Sequence, residues 1–183
     1  MIRSLFPIAA LALFCISGSQ TGSAQARPTP TLPIPLSVGN NVILLEAKAI
    51  GVQIYICKVK HSNTLKSGDA PQAYEWVFKA PEADLYAPDG SKIGRHFAGP
   101  TWEATDGSKV VGSLLGSAVS PGSIPWLLLS AKSTAGRGSF SKVTYVERVF
   151  TSGGAAPLSG ADAAHVGTEV RVPYTATYIF YRK

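Results

Sequence analysis

The segment from Arg95 to Glu103, which reads Arg-His-Phe-Ala-Gly-Pro-Thr-Trp-Glu, contains the residues of this chain whose types are best suited to chemistry. Gly99-Pro100 predicts a turn, so His96 and Glu103 could face one another across adjacent strands. A histidine held by a carboxylate can transfer protons near neutral pH. With His165 added from a distant loop, two imidazoles and a carboxylate could also bind a metal ion. A small hydrolase or metal-assisted enzyme is therefore one hypothesis, with His96 and Glu103 in acid/base or ligand roles.

Aromatic side chains near the same segment favour a second hypothesis, a binding face. Flat rings surrounded by polar groups suit sugars and other amphipathic ligands. The candidate ligand-binding residues are Asp84, Tyr86, Arg95, His96, Trp102 and Glu103. Trp102 lies between Thr101 and Glu103 and is expected near a surface, whereas Trp126 lies in an apolar run and is expected in the core.

An exported ligand-binding or envelope-associated module that uses the segment around His96, Trp102 and Glu103 is the more economical of these hypotheses, and the enzyme is the alternative. A purely structural role is also open, in which His96 bonds a backbone carbonyl and Glu103 is solvated. The chain has no G-x-S-x-G, H-E-x-x-H, C-x-x-C or EF-hand motif, and no phosphate-binding or dinucleotide-binding glycine pattern. No cofactor and no metal are therefore expected, no catalytic residue can be assigned, and the expected partner is a glycan or another small amphipathic ligand.

The N-terminal residues predict export. Arg3 precedes an apolar run, and Ala24-Gln25-Ala26 matches a signal-peptidase site, so residues 1–26 are interpreted as a signal peptide and the protein as periplasmic or secreted. Residues 27–37 contain four prolines in nearly alternate positions and predict an extended leader. No transmembrane span is expected once the signal is removed, and the oligomeric state is open.

Charge and cysteine content narrow the possible partners further. The 17 Lys and Arg exceed the 11 Asp and Glu, but they are scattered along the chain, whereas nucleic-acid binders concentrate them on one face. No nucleic-acid partner is therefore expected. Cys57, the one cysteine beyond the signal, lies in an alternating apolar run and is interpreted as a buried small hydrophobe.

Residues 38–183 show the period-2 pattern of strands, interrupted at regular intervals by Gly and Pro. Eight to ten short strands are expected, including separate strands at 42–46 and 52–59. The pattern predicts a single all-β domain, an antiparallel β-sandwich or barrel built from hairpins. The sequence Asp-Gly-Ser-Lys occurs at 89–92 and again at 106–109, and we interpret it as the same type of turn in two successive hairpins.

Several stretches of the chain resemble the domain-of-unknown-function family 3455. They are the segment H-F-A-G-P-T-W-E-A-T-D-G-S-K-V-V-G and the runs W-V-F-K-A-P-E-A-D-L-Y, I-P-W-L-L-L and V-P-Y-T-A-T-Y-I-F-Y-R. The resemblance extends over most of residues 38–182. It implies an exported protein and no established activity. It also implies a second cysteine near position 161 in many relatives, where this chain has Ala161, so that a disulfide from Cys57 is lost here.

Overall fold

Eight antiparallel strands form one closed barrel in the computed structural model, which describes residues 38, 40–60 and 72–183. Each strand pairs with the next along the chain, and the last pairs with the first. The strands are β1 Val42–Val59, β2 Tyr74–Tyr86, β3 Lys92–Phe97, β4 Thr101–Ala104, β5 Lys109–Ala118, β6 Trp126–Ala135, β7 Tyr145–Gly153 and β8 Glu169–Arg182. The all-β prediction is confirmed. The predicted signal peptide and the predicted proline-rich leader lie outside the described residues.

The structure decides between the sandwich and the barrel, which the sequence left open. β1 and β8 pair from Val42 opposite Arg182 to Ile56 opposite Glu169. This long ladder joins the two ends of the meander, so none of the eight described strands is an edge strand that could act as a template for aggregation. Among the described residues the one helical element is a 3-10 turn, Ala163–His165. None of their helices is long and apolar enough to cross a membrane.

β1 is one strand of 18 residues, so the prediction of separate strands at 42–46 and 52–59 is wrong. Small residues in its middle explain the continuity. Ala47 and Ala49 are buried in the barrel interior. At Gly51 an added Cβ would lie 2.1 Å from the carbonyl oxygen of Glu82 on β2. The absence of a side chain at Gly51 allows close packing of β1 against β2.

One end of the barrel is sealed by the connection between β6 and β7. Phe140 of this connection is buried and stacks on Phe180 of β8, with ring centroids 4.6 Å apart. The Ser139 amide and hydroxyl donate to the Asp106 carboxylate at 2.7 and 2.8 Å. The Phe140 amide donates to the Ser108 hydroxyl at 3.0 Å. The β4–β5 turn therefore holds this plug in place.

The repeated Asp-Gly-Ser-Lys phrase forms two similar hairpin turns, as predicted. Asp89 and Asp106 each accept bonds from the amide and hydroxyl of the serine two residues later, Ser91 and Ser108. The intervening glycines, Gly90 and Gly107, have φ values of +85° and +83°. Glycine adopts this left-handed backbone conformation without strain.

Candidate functional site

The register between β3 and β4 divides the predicted site residues between two faces of the barrel. Arg95 lies opposite Glu103, and His96 lies opposite Trp102. The connection has three residues, Ala98 to Pro100, instead of the two of a Gly99-Pro100 turn. A one-residue change in register moves every side chain to the other face. The prediction that His96 faces Glu103 is therefore wrong: Glu103 points outward and His96 points inward.

On the outer face, Glu103 is enclosed by two cations. Arg95 donates to its Oε2 through Nε at 2.8 Å and Nη2 at 2.5 Å, and Lys109 Nζ lies 3.1 Å from its Oε1. Hydrogen bonds from Arg95 and then from Lys109 hold the pKa of the Glu103 carboxyl below its usual value. Such a carboxylate is a poor proton carrier near neutral pH.

Asp84 and Tyr86 share this outer face. Lys92 Nζ lies 2.7 Å from the Asp84 carboxylate, and the Tyr86 hydroxyl lies 3.5 Å from Asp84 Oδ2. Asp84, Lys92 and Arg95 contribute to the lining of an outer groove of about 610 Å³. The charges along it are largely paired with each other, including Arg171 with Glu82 at 2.7 Å. Four of the six candidates thus belong to a surface of mutually satisfied ion pairs.

His96 is enclosed within the barrel, where it is 2% exposed. Its Nδ1 lies 2.9 Å from the carbonyl oxygen of Thr101, which can only accept, so Nδ1 carries the proton. The ring stacks on Trp102 with centroids 4.6 Å apart and meets Tyr178 edge-on at 5.1 Å. Burial lowers the pKa of His96 to about 3, so the imidazole is neutral at ordinary pH. The structure therefore shows the hydrogen bond from His96 to a backbone carbonyl that the hypothesis of a purely structural role predicts.

The structure buries Trp102 in the core and leaves Trp126 partly exposed, which is the reverse of the prediction. Trp102 is the largest fully buried side chain, at 1% exposure. It fits because residue 112 is glycine: an added Cβ there would lie 3.0 Å from Trp102 Cζ3 and 2.9 Å from Leu129 Cδ2. Trp126 is only partly buried and packs edge-on against the exposed ring of Phe150. Both expectations about tryptophan burial were therefore wrong.

The metal hypothesis finds no support in the described part of the chain. His165 is exposed and its Nδ1 bonds Asp162 at 2.7 Å. No group of three or more His, Cys, Asp or Glu side chains that could hold a metal ion occurs among residues 38, 40–60 and 72–183.

Cys57 is buried, as predicted, with 1% exposure. Its thiol lies 3.7 Å from the carbonyl oxygen of Asp162, the residue after Ala161. The structure thus brings Cys57 beside the position where the family resemblance implies a second cysteine. Here the 3-10 turn is held instead by Asp162, whose carboxylate accepts the amides of Ala164 and His165.

A cavity of about 440 Å³ lies inside the barrel, toward the end that carries the β3–β4 and β5–β6 connections. Leu127, Leu129 and Trp102 are among its apolar wall residues. Phe78 and Leu114 also line it and are 52% and 59% exposed, so the cavity reaches solvent beside them. Its size falls within the range of about 300–1,000 Å³ typical of small-molecule sites.

The cavity wall includes polar groups that sequence reasoning missed. Arg148 of β7 lies opposite Leu127 and Tyr178 on the neighbouring strands and is 8% exposed. Gln53 of β1 is 2% exposed. A signal was available in the sequence, because residues 140–150 alternate and Arg148 lies on the same side of that segment as Val146. Of the six candidates, only His96 and Trp102 join these residues in lining the cavity.

The described residues thus define an up-and-down antiparallel barrel, sealed at one end, with a cavity open at the other and a buried arginine in its wall. The model of a family described as "Protein of unknown function (DUF3455)" matches residues 38–182, and the chain belongs to this family. No curated protein matches the chain.

Proposed function

We propose that this protein is an exported binding module that takes up a small amphipathic molecule inside its barrel. The observation that carries the proposal is the solvent-connected cavity of about 440 Å³, whose walls are mainly apolar with a few converging polar groups. Eight-stranded barrels have an interior wide enough to hold one small ligand. Export and periplasmic or secreted location rest on the N-terminal sequence.

Unpaired polar groups in the wall support the same proposal. Gln53 Nε2, Trp102 Nε1 and the Tyr178 hydroxyl are buried and make no hydrogen bond of good geometry among the described residues, with Gln53 and Tyr178 close to the Tyr174 hydroxyl and Tyr178 also close to Arg148. Leaving such a group unpaired costs about 1–3 kcal/mol. A ligand, or water that it displaces, satisfies them. The apolar lining favours an amphipathic molecule over a glycan, which presents hydroxyl groups on most of its surface.

His96 and Glu103 do not form the acid/base pair of the enzyme alternative, because the two side chains lie on opposite faces of the sheet. Binding in the cavity uses His96 and Trp102 from the predicted candidates. Asp84, Arg95 and Glu103 form ion pairs on the outer face, where the Tyr86 hydroxyl lies beside Asp84.

The proposal is tested with a neutral probe, Nile red, and displacement by decan-1-ol. Leu114 and Leu115 are adjacent and similarly exposed, at 59% and 57%, but only Leu114 lines the cavity. We expect saturable Nile red binding that Leu114→Gln weakens by at least about threefold through lost apolar contact, while Leu115→Gln leaves it unchanged. Absence of saturable binding, or equal loss in both variants, would contradict a site in the cavity.

A further inference from the structure

Arg148 carries a buried positive charge that the described residues do not neutralise. Its Nε and Nη2 donate to the carbonyl oxygen of Pro125 at 3.1 and 2.9 Å. No carboxylate of the described residues lies within ion-pair distance of it. Glu147, its neighbour in sequence, instead accepts a bond from the Tyr181 hydroxyl at 2.9 Å. A buried charge without a partner is costly. An anion bound beside Arg148 would offset this cost.

The positive charge of Arg148 affects the pKa values of polar groups around the cavity. Burial raises the pKa of the Tyr55, Tyr174 and Tyr178 hydroxyls, and the charge of Arg148 opposes that rise at each of them. The same charge adds to the effect of burial in lowering the pKa of His96. The guanidinium is therefore close enough to act on groups of β1, β3 and β8.

The unpaired groups beside Arg148 are mainly hydrogen-bond donors. The amide nitrogen of Gln53 and the indole nitrogen of Trp102 can only donate, and the Tyr178 hydroxyl can do so. A carboxylate is acceptor-only when ionised and matches this set. Arginine is also the side chain whose fork best fits a carboxylate.

The net charge of the site favours a single negative charge on the ligand. Lys79, the other cation in the cavity wall, forms an ion pair with Glu169. Among the described residues of the cavity wall, Arg148 is therefore the one cation without an ion-pair partner, which suits a monocarboxylate better than a phosphate dianion.

We propose that the cavity binds a monocarboxylate with an apolar body, its carboxylate held by Arg148 and its body packed against the wall formed by Leu114, Leu127 and Leu129. This inference rests on the proposed function and specifies the chemical class of its ligand.

The test compares decanoate with decan-1-ol, which share chain length and differ in charge, by isothermal titration on the wild-type protein. A charge-assisted hydrogen bond is expected to make decanoate bind about 10- to 100-fold more tightly than the alcohol. Arg148→Met should abolish this preference, and Arg148→Lys, which keeps the charge, should retain most of it. Arg171→Met, at an exposed cation outside the cavity lining, is the matched control and should leave the preference intact.

The outcomes separate the two proposals. Equal affinity for decanoate and decan-1-ol in the wild-type protein would overturn the carboxylate inference and leave the binding function standing. A preference that Arg171→Met removes as completely as Arg148→Met would also overturn it. If neither compound nor Nile red binds the wild-type protein, the binding function fails first and the inference with it. Because the wild-type comparison needs no variant, a folding defect in Arg148→Met does not affect it.

Discussion

Burial determines the chemistry of the single residues in this site. His96 looked like a proton carrier because of its residue type and its neighbour Glu103 in the predicted hairpin. Enclosure by Trp102 and Tyr178, together with the bond to the Thr101 carbonyl, makes it a neutral structural group. Arg148, which no motif singled out, is the charged residue that the barrel places inside without a carboxylate. At the residue scale, the surroundings of a side chain decide its role more than its type does.

His96 leads to a prediction about stability and pH. An unfolded histidine takes up a proton below about pH 6.5, whereas folded His96 does so only near a pKa of about 3. The unfolded chain thus binds more protons between these values, so the free energy of unfolding falls as pH falls through this window. We expect His96 to contribute a slope of up to about 1.4 kcal/mol per pH unit.

Urea unfolding of the wild type and of His96→Gln between pH 7 and pH 4 measures this contribution. The variant should show a shallower dependence on pH than the wild type. His165→Gln removes an exposed histidine and is the control that should keep the wild-type slope. Identical slopes in wild type and His96→Gln would contradict the assignment of a low pKa to His96.

At the scale of elements, one turn sequence serves two different purposes. The turn at Asp89 closes the β2–β3 hairpin by local bonds to Ser91. The turn at Asp106 makes the same local bonds to Ser108 and in addition accepts the amide and hydroxyl of Ser139 from the β6–β7 connection. The second turn therefore connects distant parts of the chain and holds the plug that carries Phe140.

The two turns predict unequal effects of the same substitution. Asp106→Asn should lower the free energy of unfolding more than Asp89→Asn, because only Asp106 loses bonds to the plug. The bonds from Ser108 and Ser139 hold the pKa of Asp106 below its ordinary value, so its stabilisation is present above about pH 4 and is lost as pH falls through the folded pKa. The deficit of Asp106→Asn should accordingly be full at neutral pH and shrink in acid.

Urea unfolding of both variants at neutral and acidic pH makes the comparison. Equal destabilisation by Asp89→Asn and Asp106→Asn would show that the long-range bonds to Ser139 add nothing to the stability of the fold.

At the scale of the whole molecule, the cavity exists because the sheet closes into a barrel. The β1–β8 ladder turns eight strands into a barrel with an inside. The plug at Phe140 seals one end, and the interior toward the other end keeps about 440 Å³. An open sandwich of the same strands would have two edges and no enclosed site of this kind.

Closure predicts a pattern of amide hydrogen exchange. Residues 48–56 of β1 pair with both β2 and β8, and residues 174–181 of β8 pair with both β7 and β1, so alternate amides along these two stretches should all be protected. Exchange followed by NMR should give the amides of β1 that face β8 a protection similar to those that face β2. Fast exchange of every second amide within either of these two stretches would instead mark an edge strand and an open sheet.

The sequence by itself determined the features that depend on local preferences. The period-2 pattern identified the all-β class, the Asp-Gly-Ser-Lys phrases marked two hairpin turns, and the apolar context of Cys57 indicated its burial. Each of these follows from interactions between residues close together in the chain, and the structure confirms all three.

Only the tertiary structure decided which face of each strand is the inside and whether the sheet closes. A period of two separates two faces without saying which is buried, and one residue in the length of the Gly99-Pro100 connection placed His96 inside and Glu103 outside. Gly112 makes room for Trp102, and the β1–β8 ladder encloses Arg148 with Gln53 and Tyr178. These relations join residues far apart in the chain, so they depend on register and closure, which no local pattern encodes.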